Sequence, residues 1–523
     1  MSVTVPGTST PISQTFDNTQ NNATAQQIAN AIAQANNDST LFIATYSGST
    51  TPTVPAGDVG ELIVDGSPGY TNVTVPSSYS YVVTNNTTSN PITIHGTAST
   101  SIIGGDGTVT VIDPAVIALG NGNNIVALTP SDAPYTASMG DGDNTVYAGG
   151  SGTVSGGTGS NQLNAGYGTG SNLLIAQGTD DTVVAGLSGG ITSVESSGSN
   201  TLVFGNSGAM TLTLTGAAAT VAAGSGDATV SVGSAASSTI LFGGSGTLAV
   251  DNGGSGTEIA GFTGTVSLSG SNSLVFDGFG SAGTVTDAGS NDTIVGGDNS
   301  STVTATTGNS LVFGTTGSLD FVGGSAAATV IAGSGAISAQ GGQGGVVFAA
   351  HADNTAETVT AGTGGATLFG ANGSDVNLNG AGNVLYGGYS TSGEGETVNG
   401  ASLSGAVDIY AGAGNDSLVG GTGSDTMVAG TGDDTMTGGA GNNLFGFFDG
   451  SAGGHYTITD FSSSDAVYLG GYGTAAAATA IANATSAGGS TTITLADNTT
   501  ITFSGVSSAS QLEGHIGSSA AVV

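Results

Sequence analysis

The 523-residue chain holds 95 glycines and 36 Asp and Glu, but no Lys, Arg, Cys or Trp, so its formal net charge is −36. Without cationic side chains it has no phosphate-neutralising surface for nucleic acid, no P-loop or Schiff-base lysine and no partner for an internal salt bridge, and without Cys it has no disulfide framework. The acids must be solvated, protonated or neutralised by an added cation, most simply a metal ion, and with 37% apolar residues the chain is not a disordered polyanion.

Residues 1–100 read as a small α+β or β-rich cap. The chain opens on extended apolar positions, Val3, Val5, Ile12 and Phe16, suited to adding a strand to a neighbouring molecule. Segment 23–35, ATAQQIANAIAQA, sets Ile28 and Ile32 four residues apart with Ala between, which predicts a helix capped by Asn22. Strand-like runs follow at 61–65, 71–75, 79–84 and 91–96, punctuated by Pro and Gly. The first sixteen residues carry neither the basic region nor the apolar stretch of a secretory signal, and no apolar run approaches the ~20 residues of a membrane span.

From 101 to 446, Gly-rich hexads alternate with short β-branched runs, as in GGDGTVTVI and GSGDATVSV. Repeats this short predict an all-β architecture, a parallel β-solenoid or β-roll in which each strand gains a ladder and a core only by stacking on the next turn. A longer period places Phe204, Phe242, Phe276, Phe313 and Phe348 at spacings of 38, 34, 37 and 35. Aromatics at whole-turn multiples are expected to stack inside the solenoid. The tail, 447–523, changes again. It holds HYTITDFSSSDAVYL, an Ala-rich stretch at 474–485 and the hairpin-like pair TTITL-ADN-TTITF at 491–503, and is expected to be β-rich.

Four consecutive nonapeptides fill 411–446: AGAGNDSLV, GGTGSDTMV, AGTGDDTMT and GGAGNNLFG. Their sixth positions are Asp416, Asp425, Asp434 and Asn443, nine residues apart each time, and an apolar residue falls at position seven or eight. Elsewhere the pattern decays. Asp181, Asp292 and Asp375 keep an acid and lose glycines, whereas Asn124 and Asn144 keep glycines and lose the acid. These turns are expected to be metal-free, with Asp141 and Asp143 the nearest to an exception.

The nonapeptides resemble the RTX family of calcium-binding exoproteins, with consensus G-G-x-G-x-D-x-U-x. The resemblance implies a β-roll in which two nonapeptides make a turn, so that Asp416 pairs with Asp434 and Asp425 with Asn443. It further implies Ca²⁺ between such loops, held by these side chains and by the carbonyls of Gly412, Gly414, Gly421, Gly423, Gly430 and Gly432, a donor set that suits a cation taking six to eight oxygens. TDFSSSDAVYL and TTITLADNTTITFSGV resemble the family's terminal segment, which in that family carries the signal for type I secretion.

An enzyme is not expected. None of His95, His351, His455 and His515 lies in HExxH, and no thiol is present. The expected function is a secreted calcium-binding structural protein, at the cell surface or in a matrix, that assembles with copies of itself into a surface layer, fibre or biofilm matrix. Calcium and cell-surface polysaccharide are its other expected partners. The alternatives are an adhesin or ice- or glycan-binding solenoid using a flat Thr-rich face, and a carbohydrate-active β-helix enzyme.

Overall fold

The computed structural model describes the chain except residues 49, 66–71, 87–89, 114, 130–133, 279–281, 352–356, 371–372, 381, 389–393 and 521–523. The chain is nearly all β and divides into two units, Met1–Val266 and Ser267–Val523.

The first unit opens with a hairpin, Ser2–Val5 antiparallel to Ile12–Thr15, followed by helix α1, Thr19–Asn37. The helix starts earlier than its Ile spacing predicts. Asn18, not Asn22, is the cap, and its side chain accepts from the Asn21 N–H at 2.7 Å. Val3, Val5 and Phe16 are buried with Ile28 and Ile32 of α1 against Val83, Ile103 and Ala118. The opening segment therefore pairs with itself and packs inside its own chain, unlike the strand donor expected from its sequence.

Parallel stacking begins at Leu41–Thr45, well before the Gly-rich text. That strand pairs with Val59–Asp65, then Tyr79–Asn85, Ser101–Ile103 and onward, forming sheet I. The alternate strands, from Asn72–Thr74 and Ile92–His95 through Val109–Ile112 and Ile125–Leu128, form sheet II. Successive strands along the chain thus alternate between two parallel sheets, which is a β-solenoid. The runs predicted at 61–65, 71–75, 79–84 and 91–96 are all strands, with Thr71 itself outside the described residues.

In a three-residue strand only the middle side chain faces the core. In Leu202–Phe204, Ile240–Phe242 and Leu274–Phe276 the buried residues are accordingly Val203, Leu241 and Val275. Phe204, Phe242 and Phe276 are 40%, 48% and 43% exposed. The expected internal Phe stack is thus corrected: these rings lie on the outer face of sheet II. In the first unit they also alternate with small residues, because Phe204 registers on Ala222 and Ala222 on Phe242. Phe348 alone of the series is fully buried, since its strand enters one residue out of step and puts it beside Val330.

The second unit repeats the alternation. Gly283–Asp287 starts a sheet I ladder to Ser301–Ala305, Leu319–Val322 and Ile337–Gln340, while Leu274–Phe276 starts a sheet II ladder to Asp292–Val295, Ser310–Phe313 and Ala328–Ile331. Along the outer face of sheet II, Phe369, Tyr386 and Tyr410 form a ladder of stacked rings, with centroids 5.2 Å apart and planes within 12° of each other. The tail joins the same stack: Thr500–Ser504 runs parallel to His455–Ile458 and pairs antiparallel with Ser490–Thr494, as its hairpin pattern predicts. Ala476–Ala482 is a short helix.

Candidate metal centre

The nonapeptides contribute Ser417–Val419 and Thr435–Thr437 to sheet I and Thr426–Val428 and Leu444–Phe448 to sheet II. Leu418, Met427 and Met436 all point inward, which fixes the apolar residue at position eight without slippage. Each six-residue loop then delivers its sixth side chain to the corner just before the strand. Asp416, Asp425, Asp434 and Asn443 are all buried there, at most 2% exposed.

Eighteen residues separate successive members of a column. Asp434 Oδ1 accepts from the Asp416 N–H at 3.0 Å, and Asn443 Oδ1 accepts from the Asp425 N–H at 3.0 Å. The glycines make this stacking possible. A Cβ on Gly430 would lie 1.7 Å from Gly412 O, and one on Gly432 1.7 Å from Gly414 O. Gly414 and Gly432 also take φ of +137° and +133°, which side-chain-bearing residues rarely adopt. On the other side, Cβ atoms on Gly421 and Gly423 would come within 2.5 Å of Leu403 O and 2.4 Å of Gly405 O.

The first unit shows such a loop closed by side-chain amides. Asn124, Asn144 and Asn161 form a buried column in which each main-chain N–H donates to the next side chain. The Asn144 Nδ2 group lies 3.2 Å from Gly140 O and 2.6 Å from Gly142 O, and Asn161 Nδ2 lies 3.3 Å from Gly157 O and 2.6 Å from Gly159 O. The amide thus donates to the carbonyls four and two residues before it. At the column's end, Asp181 accepts from the Asn161 N–H and Nδ2 and from the Gly178 N–H, which satisfies both its oxygens.

In the Asp loops the corresponding carbonyls are those of Gly412 and Gly414, Gly421 and Gly423, and Gly430 and Gly432, and a carboxylate has no proton to offer them. The loop centre filled by an NH₂ in the Asn turns is lined by oxygen in the Asp turns. Asp416 Oδ2 is buried with no hydrogen-bond partner. Burial, with Asp416 nearby, pushes the Asp434 carboxyl up to about 7, so the corner disfavours a lone negative charge, which a cation would stabilise. Among the described residues no three His, Asp or Glu side chains converge on one point, so most of a cation's shell would come from main-chain carbonyls. The residues present fit a hard cation with oxygen ligands.

Two further side chains belong to these columns and escaped the nonapeptide pattern. Asp465, 3% exposed, extends the Asn443 column by accepting from the Asn443 N–H at 2.9 Å across 22 residues. Glu396 precedes Asp416 by 20 residues, and its N–H donates to Asp416 Oδ1 at 2.7 Å. Both turns are longer than eighteen, so a nine-residue ruler misses them. Of the degenerate matches, Asp292 is buried in a corner as a position-six residue, but Asp375 faces solvent and Ser374 takes the inward place.

The sequence model for the RTX calcium-binding nonapeptide repeat matches residues 410–445 in four copies. RTX nonapeptide repeats bind calcium, and these four copies on a β-solenoid fit an RTX-family protein. No curated protein matches the chain. Among the described residues no helix is long and apolar enough to cross a membrane.

Proposed function

We propose that the chain is a secreted structural protein, set by calcium and assembling with copies of itself into a surface layer, fibre or matrix, with no catalytic role. Calcium is held between Asp416 and Asp434 with the carbonyls of Gly412, Gly414, Gly430 and Gly432, and between Asp425 and Asn443 with those of Gly421 and Gly423. The observation that carries self-assembly is the outer face of sheet II. In the second unit, successive strands offer Leu274 and Phe276, Thr293 and Val295, Leu311 and Phe313, Thr329 and Ile331, then Val347 and Ala349, with no charge among them. In a chain of −36 without cations, copies approach most easily through an uncharged face. In the first unit the Phe204–Ala222–Phe242–Ala260 column offers rings and hollows that a second copy can interdigitate. Export by a type I route is supported by the tail's resemblance and by the extracellular habit of RTX repeats.

A second reading, an adhesin or glycan-binding solenoid that grips cell-surface polysaccharide, is favoured by the opposite face. There Thr284 and Thr286 register on Thr302 and Thr304, a flat array of hydroxyls. Electron microscopy of purified protein with and without Ca²⁺ separates the two. Ordered polymers that need calcium support assembly, and a monomer that retains a polysaccharide supports the adhesin.

A further inference from the structure

Ahead of the matched repeats, the sheet I column of carboxylates gains one more member. Glu396 precedes strand Thr397–Asn399, whose Thr397 and Val398 register on Ser417 and Leu418. It therefore holds in its own turn the place that Asp416 holds in the next. Glu396 is 1% exposed and Asp416 2%. One oxygen of each is occupied: Glu396 Oε1 accepts from the Gly388 N–H at 2.7 Å, and Asp416 Oδ1 accepts from the Glu396 N–H at 2.7 Å. The other two, Glu396 Oε2 and Asp416 Oδ2, are buried and have no donor, and they belong to carboxyl groups in side-chain contact.

Two buried carboxylates in contact repel unless a proton or a metal cation lies between them. The chain has no Lys or Arg to take that place. Only oxygens are on offer, which selects a hard divalent cation over a transition metal. We propose that Glu396 is a metal ligand and that a calcium ion is held between Glu396 and Asp416, one turn ahead of the nonapeptides. The longer Glu side chain suits this position because its turn spans 20 residues where the next spans 18. The proposal rests on the calcium reading of the nonapeptides and extends it to a residue that their consensus does not contain.

The test counts calcium bound to the full-length chain by equilibrium dialysis with elemental analysis, and reads affinities by calorimetry. E396Q is expected to bind one calcium fewer than the unsubstituted chain and to keep the Asp425–Asn443 site, which shares no ligand with it, at unchanged affinity. An unchanged count and unchanged affinities in E396Q overturn the inference, and the two carboxyls then merely share a proton. An unsubstituted chain that binds no calcium overturns the nonapeptide reading as well, so the two failures are distinct. Should E396Q not fold, E396D keeps the charge and shortens the reach. One site weakened tenfold or more in E396D supports the inference, and none weakened overturns it.

Discussion

Asn and Asp at position six differ by an NH₂ in place of an oxygen, and the loops around them differ in what they lack. The Asn144 amide reaches Gly140 O and Gly142 O by itself, whereas an ionised Asp434 only accepts, as it does from the Gly430 N–H at 3.3 Å. Asp434→Asn should therefore give the nonapeptide loop its own donor. It is expected to fold without calcium and to show a smaller chelator-induced fall in Tm than the parent chain. Asp416→Ala with Asp434→Ala supplies neither ligand nor donor, and should melt lower with or without calcium. Calorimetry with and without EGTA checks both, and a double mutant with unchanged calcium count and Tm would remove these residues from the site. A different corner of the second unit should respond to pH. Asp292 Oδ1 accepts from the Ser273 N–H at 2.6 Å, while its buried Oδ2 has no donor and its carboxyl meets that of Asp287, itself held by the Gly289 N–H and Ser310 Oγ. Burial first, then the Asp287 charge, raises Asp292 from 3.8 to about 7. The folded state thus keeps a proton that the unfolded chain releases near 3.8. The resulting stability is fully present below that pH and is lost as pH rises through about 7, by up to about tenfold in the folding equilibrium per pH unit. Asp292→Asn should flatten that slope, measured by urea unfolding between pH 4 and 8.

Within one element, the glycine loop sets what can be stacked. At Gly432 an alanine would meet Gly414 O at 1.7 Å in a backbone of φ +133°. Holding a side-chain-bearing residue in so sparsely populated a backbone region costs about 1–3 kcal/mol, and the clash adds to it by forcing two turns apart. Gly432→Ala should therefore lower stability by at least that amount and weaken calcium binding. By contrast, Gly453→Ala, with nothing within 4 Å of the added methyl, should be near neutral, and denaturant titration of the pair makes the comparison. The same close packing explains how much of the site could be read directly. A carboxylate every nine residues in a Gly frame has few other uses, so Asp416, Asp425, Asp434 and Asn443 stood out. Glu396 and Asp465 did not, because longer turns shift them off the ruler while the ladder keeps them in column.

Across the whole chain, the two chemistries are segregated. The Asn column, Asn124 to Asn161, lies in the first unit and the acidic nonapeptides in the second. Chelation should loosen the turns around 396–446 and leave those around 120–185 protected, read by hydrogen exchange with peptic digestion. Each site filled at 100-fold excess over its Kd adds about 2.7 kcal/mol to the second unit, and equal deprotection of both regions would contradict the segregation. The fold class was legible in the alternation of Gly hexads with β-branched triplets. Two features were hidden. Strands between 41 and 100 join the same sheets, but the sequence there carries no Gly hexads, so nothing in its composition announces a solenoid. The outward Phe column was misplaced because spacing reports which turn a residue occupies, while a one-residue change of register, as between Phe313 and Phe348, decides whether it faces core or solvent.

The stacked rings of Phe369, Tyr386 and Tyr410 make the protein its own optical probe. With no Trp to mask them, tyrosines dominate the near-ultraviolet absorption, and two of them sit face to face at 5.2 Å, close enough for their transitions to couple. Tyr410 is the last residue before the first nonapeptide and is tied by register to Val428 inside the array. Its ring thus sits one register step from the turns proposed to hold calcium. Titrating the ion should raise a near-ultraviolet circular dichroism band from the tyrosines in step with binding, without dye or label. Tyr386→Leu should abolish that band and leave the calcium count untouched, and a signal that survives the substitution would have to come from other tyrosines.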